Sequence, residues 1–146
     1  MIYIGSDHAG FDLKNELTQY VKNDLKLEIE DLGCYSKESV DYPDFAIQVC
    51  KKVNENNGTG ILICNTGIGI SITANKIKGI RCALCAEEYS AAMAIKHNNA
   101  NILALGGNVT GKELAKSILK TFLNAKFEGG RHQRRIEKIT SLEKNI

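Results

Sequence analysis

Cys64 is the residue whose surroundings most directly suggest chemistry. It stands in Gly60-Ile-Leu-Ile-Cys-Asn-Thr-Gly-Ile-Gly-Ile-Ser71, where an apolar run delivers a thiol into a glycine-bearing turn. Gly60 to Cys64 reads as a fully buried strand, Asn65 to Gly69 as the turn, and Ile70 to Lys76 as the start of a helix. Backbone N–H groups free at such a helix start favour an anion, either a phosphate or an oxyanion that exists only during a reaction. The same field stabilises a thiolate. A cysteine packed at a strand end beside a tight turn gives the same local pattern, so the rest of the chain must decide between the two.

The elements that position this turn follow from the alternation of short apolar runs with amphipathic stretches, the pattern of a parallel sheet covered by helices. Strands are expected at Ile2–Gly5, Lys26–Leu32, Gly60–Cys64, Arg81–Cys85 and Asn101–Leu105. Helices are expected at Ala9–Lys22, Pro43–Asn56, Ile70–Ile77, Glu87–Asn98 and Gly111–Asn124, with a sixth from Arg131 to about Leu142 after Gly129-Gly130. In the first helix Leu13, Leu17, Tyr20 and Val21 repeat at helical spacing, with Lys14, Glu16 and Lys22 off that stripe. The expected fold is an α/β, doubly wound five-stranded parallel sheet with an additional C-terminal helix, in a single domain over residues 1–146.

Ligands of such sheets bind outside the carboxyl ends of the strands, where the strand order reverses. The turns to watch are Gly5-Ser-Asp-His-Ala-Gly10, Cys64-Asn-Thr-Gly-Ile-Gly69 and Gly106-Gly-Asn-Val-Thr110. His97-Asn98 closes the fourth helix just before the fifth strand, which puts it at the opposite end of the same sheet. It can join the Cys64 site only if a second subunit brings it there.

Composition narrows the classes. A chain of 146 residues with 43% hydrophobic content has an adequate core for one domain, and a net charge of +2 does not by itself call for nucleic acid or a membrane surface. Met1-Ile-Tyr-Ile-Gly-Ser-Asp is too short and too soon polar for a signal peptide, and no apolar run has membrane length, so a cytoplasmic protein is expected. The five cysteines, Cys34, Cys50, Cys64, Cys82 and Cys85, lack framework spacing and are expected as reduced thiols.

Several familiar motifs fail on particular residues. A dinucleotide fingerprint needs a third glycine where Ile72 stands, and a P-loop needs Gly-Lys-Ser/Thr, which is absent. A cysteine phosphatase loop places an arginine at the position of Ile70. Cys82-Ala-Leu-Cys85 has no second pair, and residues three apart on a strand face opposite ways, so core packing is expected there. The three histidines lack metal-ligand spacing, so no metal is expected.

Taken together, Gly5-Ser-Asp-His-Ala-Gly10, Asp41-Tyr-Pro-Asp44, the Gly60–Ser71 stretch with Ala74-Asn-Lys76, His97-Asn98 and Gly129-Gly-Arg-His-Gln-Arg-Arg135 resemble the type B ribose-5-phosphate isomerases over essentially the whole chain. The resemblance implies a Rossmann-like, cofactor-free homodimer whose active sites draw on both subunits, and leaves open whether dimers pair into tetramers. It implies interconversion of ribose 5-phosphate and ribulose 5-phosphate in the non-oxidative branch of the pentose phosphate pathway. Asp7 and His97 match the residues that open the sugar ring, a step suited to an imidazole that titrates near neutrality. Cys64 matches the base that moves a proton between C2 and C1 through a cis-enediolate, and Thr66 would relay a proton between the two oxygens. The backbone of Gly67, Gly69 and Ser71 would hold the enediolate oxygen. His8, Arg131 and Arg135 match phosphate ligands, and Tyr42 and Asn98 complete the matched substrate contacts.

Arg131 and Arg135 are four apart and share a helix face, whereas Arg131, His132, Arg134 and Arg135 taken alone also read as a solvated or nucleic-acid-facing surface. Gln133, Ile136 and Ile139 favour an amphipathic helix packed on protein, with the neighbouring subunit as the expected partner. Asp7 can equally cap the first helix, and the two roles are compatible. Two positions depart from the family: Asn65, where glycine is common and positive φ would be tolerated, and Asn108, where many relatives carry a phosphate-contacting arginine. Alternative readings are an isomerase of allose 6-phosphate or galactose 6-phosphate, and a non-catalytic sugar-phosphate sensor.

Overall fold

The computed structural model describes residues 1–145. Strands β1 (Ile2–Ser6), β2 (Ile29–Asp31), β3 (Thr59–Cys64), β4 (Cys82–Leu84) and β5 (Ile102–Gly106) form one five-stranded, all-parallel sheet in the order β2-β1-β3-β5-β4. Because side chains alternate along a strand, each central strand feeds two cores. Ile2, Ile4, Ile61, Ile63, Leu103 and Leu105 face helices α1 (Phe11–Gln19), α4 (Glu88–Lys96) and α5 (Lys112–Asn124). Tyr3, Leu62, Cys64, Ile102 and Ala104 face helices α2 (Tyr42–Asn56) and α3 (Ile68–Asn75). A sixth helix, α6 (Arg131–Leu142), follows the expected bounds. No helix among the described residues is long and apolar enough to cross a membrane.

The order of the sheet reverses between β1 and β3, which places α1 and α3 on opposite faces and opens a crevice at their carboxyl ends. Ser6 pairs with Ile63, so the next residues, Asp7 and Cys64, emerge side by side at that crevice. Cys82 and Cys85 pack into opposite cores, as expected for residues three apart on a strand.

Most element ends differ from the sequence reading by a residue or two, and three of the differences shape the surroundings of the site. The second strand is only Ile29–Asp31, because α1 ends in a wide π turn at Tyr20–Asp24 and Lys26 takes a left-handed φ of 57° that interrupts the extended chain. The third helix starts at Ile68 rather than Ile70, since Gly67 is its N-cap at φ 80°. The first helix is preceded by a short 3-10 turn, His8–Gly10, whose N-cap is Asp7. The exposed edge of β4 is partly covered by the Asn75 side chain, which accepts the Cys82 N–H at 2.8 Å and donates to the Cys82 carbonyl at 3.0 Å.

Candidate active site

Cys64 ends β3 buried, with its side chain on the α2/α3 side of the sheet. Its carbonyl accepts the Gly107 N–H at 2.8 Å, tying the turns after β3 and β5 together. Beside it, buried Asp7 turns one carboxylate oxygen, Oδ1, onto the N–H groups of Ala9 at 3.0 Å and Gly10 at 3.1 Å. The cap fixes the carboxylate at the strand end and leaves its second oxygen outside those two bonds. His8 Nδ1 accepts the Val40 N–H at 3.2 Å, so the neutral ring carries its proton on Nε2 as a donor.

The turn after Cys64 presents unpaired backbone amides, with one change from expectation. Thr66 Oγ1 accepts the Ile68 N–H at 3.2 Å, which orients the hydroxyl and leaves its proton to donate. The Ser71 N–H donates to the Gly67 carbonyl at 3.2 Å inside the helix, and Ser71 Oγ donates to the Ile68 carbonyl at 2.8 Å. Ser71 therefore offers no free amide. The N–H groups of Gly67, Gly69 and Ile70 have no hydrogen-bond partner among the described residues. The Ile70 amide is among these free groups because α3 starts two residues earlier than the sequence reading placed it.

Gly67 and Gly69 are crowded in different ways. At Gly67 the positive φ combines with crowding, because a Cβ would lie 2.8 Å from the Leu105 carbonyl carbon. At Gly69 a Cβ would lie 2.6 Å from the Tyr42 ring, which packs across the start of α3 with its hydroxyl at the same spot. Tyr42 thus closes the crevice from the first turn of α2. Asn65 does not have positive φ; the left-handed residue of the turn is Gly67. Instead Asn65 and Asn108, the two departures, bond to each other. The Asn108 N–H donates to the Asn65 carbonyl at 3.0 Å, and the Asn108 side-chain amide donates to Asn65 Oδ1.

A second group lies at the other end of the sheet. His97 caps the C-terminus of α4, ahead of β5, whose far end Gly106 pairs with Cys64. The intervening strand spans roughly 13 Å at about 3.3 Å per residue. Asn98 is exposed beside His97, and its carbonyl accepts from Arg81 Nε at 3.1 Å. His97 stacks on His132 of α6, with Glu128 facing both rings. Arg131 and Arg135 project exposed from the same helix. Within one chain Cys64, Asp7, His8, Tyr42 and Thr66 gather at one end, and His97, Asn98, Arg131 and Arg135 at the other. Residue spacing gave no sign that two of the three histidines would meet around a carboxylate.

Known proteins share this fold and much of this sequence. The profile of the family described as Ribose/Galactose Isomerase matches residues 2–139. The ribose-5-phosphate isomerase B of Escherichia coli (strain K12) is 49% identical over 97% of this chain and 95% of its own. The solved ribose-5-phosphate isomerase B of Clostridium thermocellum superposes with a TM-score of 0.96 at 50% identity, over 99% of this chain and 97% of that one. That of Mycoplasma genitalium, solved with bound ribulose-5-phosphate, superposes at 0.94 with 44% identity, over 99% and 97%. The chain belongs to the Ribose/Galactose Isomerase family.

Proposed function

We propose that this protein is an aldose-ketose isomerase that interconverts ribose 5-phosphate and ribulose 5-phosphate, using Cys64 as the base. The observation that carries the reading is the start of α3. A buried cysteine there directly precedes a turn whose Gly67, Gly69 and Ile70 N–H groups have no other partner. Full-length identity near one half to ribose-5-phosphate isomerases supports the choice of substrate.

Opening the furanose needs one proton delivered to the ring oxygen and one removed from the anomeric hydroxyl; Asp7 and His97 take these parts. The Cys64 thiolate then removes the proton from C2, becoming a thiol. The electron pair left behind forms a cis-enediolate with charge on the C1 oxygen, held by the free amides of the turn. Thr66 passes a proton between the two oxygens, and Cys64 returns its proton to C1. The atoms balance without a redox change. His8 Nε2, Arg131 and Arg135 hold the phosphate, with Tyr42 and Asn98 against the sugar.

This assignment requires a symmetric dimer in which each subunit lends its His97 and arginines to the Cys64 of the other. The surface around the turn supports it. Ile68, Ile72, Leu84 and Val109 are exposed there, and Ile68, Leu84 and Val109 line an apolar recess of about 240 Å³ with Thr66. On α6, Ile136 is buried in its own chain, whereas Ile139 and Leu142 are 48% and 65% exposed.

The test is conversion of ribose 5-phosphate in the presence of a chelator, comparing wild type with Cys64→Ala. Activity that survives chelation and vanishes in the variant is expected. An inactive wild type that turns over allose 6-phosphate or galactose 6-phosphate would move the substrate to six carbons. Binding without turnover of any of the three would make the protein a sensor.

A further inference from the structure

His97 and His132 stack with ring centroids 4.2 Å apart and an interplanar angle of 11°. Both Nε2 atoms face one oxygen: Glu128 Oε1 lies 3.8 Å from His97 and 3.7 Å from His132. These distances are too long for hydrogen bonds. The three atoms nevertheless lie within 4.8 Å of one another. His132 is buried, and its Nε2 has no hydrogen-bond partner among the described residues. A desolvated ring nitrogen left this way is costly until it gains a partner, and in the tautomer protonated on Nδ1 a metal ion can be that partner.

Two imidazoles and a carboxylate are the donor set of open zinc centres, and they favour zinc, cobalt or nickel over magnesium or calcium. Metal–nitrogen bonds of about 2.0–2.1 Å in a tetrahedron set ligand atoms about 3.3 Å apart, so the two separations from Glu128 must close by roughly half an ångström and the stacked imidazoles must turn toward a common point. The backbone is already arranged for this. The Glu128 N–H donates to the Lys96 carbonyl at 3.1 Å, beside His97, and the His132 N–H donates to the Gly129 carbonyl at 3.1 Å. His132, with a side chain 8% exposed, is the fixed ligand; His97 at 39% and Glu128 at 52% have room to turn and open the stack. Arg131 and Arg135 raise the local positive potential, which keeps a dication exchangeable rather than resident.

We propose that His97, Glu128 and His132 form a reversible site for a zinc-class divalent cation, and that its occupancy switches the isomerase off by withdrawing His97. The inhibitory half rests on the reading that His97 opens the sugar ring. A coordinated imidazole has given its lone pair to the metal and cannot take or return a proton at that nitrogen.

The experiment titrates chelator-stripped, untagged protein with zinc against a chromophoric chelator. Cobalt serves as a second probe, because its visible bands report coordination geometry and its near-ultraviolet charge transfer reports thiolate ligands. One equivalent per chain without a thiolate band is expected, with affinity falling about tenfold or more in Glu128→Gln and in His132→Asn. Glu128 is exposed, so Glu128→Gln keeps the test valid should His132→Asn misfold. Zinc should inhibit the wild type over the range in which it binds, and a chelator should restore activity. No binding, binding unchanged in Glu128→Gln, or a thiolate band would overturn the site. Binding that is lost in the variants but leaves the saturated wild type fully active would overturn the inhibition, whereas a metal-free His97→Ala variant that keeps full activity would overturn the reading of His97 as the ring opener.

Discussion

Burial sets three of the five cysteines apart from nucleophilic chemistry. It pushes the Cys50 thiol up to about 12 and the Cys85 thiol to about 11, and it raises Cys82 as well. At neutral pH these three stay protonated and alkylate slowly. Iodoacetamide is therefore expected to inactivate through Cys64, with ribose 5-phosphate protecting. Peptide mapping checks this, and inactivation that tracks another cysteine alone would remove Cys64 as the base. The family resemblance implies that position 108 faces the substrate phosphate, and among the described residues the Asn108 side chain bonds to Asn65. Asn108→Arg should lower the Michaelis constant for ribose 5-phosphate roughly tenfold, since a charge-assisted hydrogen bond contributes about 1.5–3 kcal/mol and loses part of that to ordering the side chain. An unchanged or higher constant would count against a phosphate contact at position 108.

At the scale of elements, the two glycines of the α3 turn should behave differently. Gly67→Ala meets the fixed Leu105 backbone and a left-handed φ, so it should cost about 2 kcal/mol or more in chemical denaturation and weaken the anion hole. Gly69→Ala meets only the Tyr42 ring, which can swing away. It should fold nearly as stably and raise the Michaelis constant instead. Equal stability losses in the two variants would contradict this account. Between α1 and β2, Lys14 is 1% exposed and its Nζ lies 2.5 Å from Asp31 Oδ2, with Phe11 and Tyr35 rings around it. Asp31→Asn leaves that ammonium buried without its counter-charge and should destabilise the fold by about 3 kcal/mol.

For the whole molecule, shared sites make a sharp prediction. Cys64→Ala and His97→Ala should each be inactive. When unfolded together and refolded, the mixture should recover about a quarter of wild-type activity, because half of the dimers pair an intact Cys64 with an intact His97 once. No recovery would mean that the two residues act within one chain or not in one site. The His97 end of the molecule should also respond to acid. Burial, then the charges of His97 and Arg131, then Arg135, hold the His132 imidazole below its ordinary value, against the opposing pull of Glu128. A depressed value means that the unfolded chain binds the proton first. Stability is thus fully present above about pH 6.5 and falls as pH drops below it. Denaturation curves should show that slope in wild type and a flatter one in His132→Gln.

The sequence by itself determined the layers and the local form of the Cys64 turn. Alternating apolar runs set five strands between helices, and the Cys64 turn was legible because its strand, glycines and helix are contiguous. The contiguous Arg131–Leu142 helix was equally plain. Tertiary structure decided what depends on contacts between distant segments and on the hydrogen-bond ledger of each amide. It moved the start of α3 to Ile68, which exchanged Ser71 for Ile70 among the free donors. It paired Asn65 with Asn108, two residues that looked independent. It also stacked His97 on His132, because the turn into α6 folds back on the end of α4, and no spacing rule along the chain encodes that return.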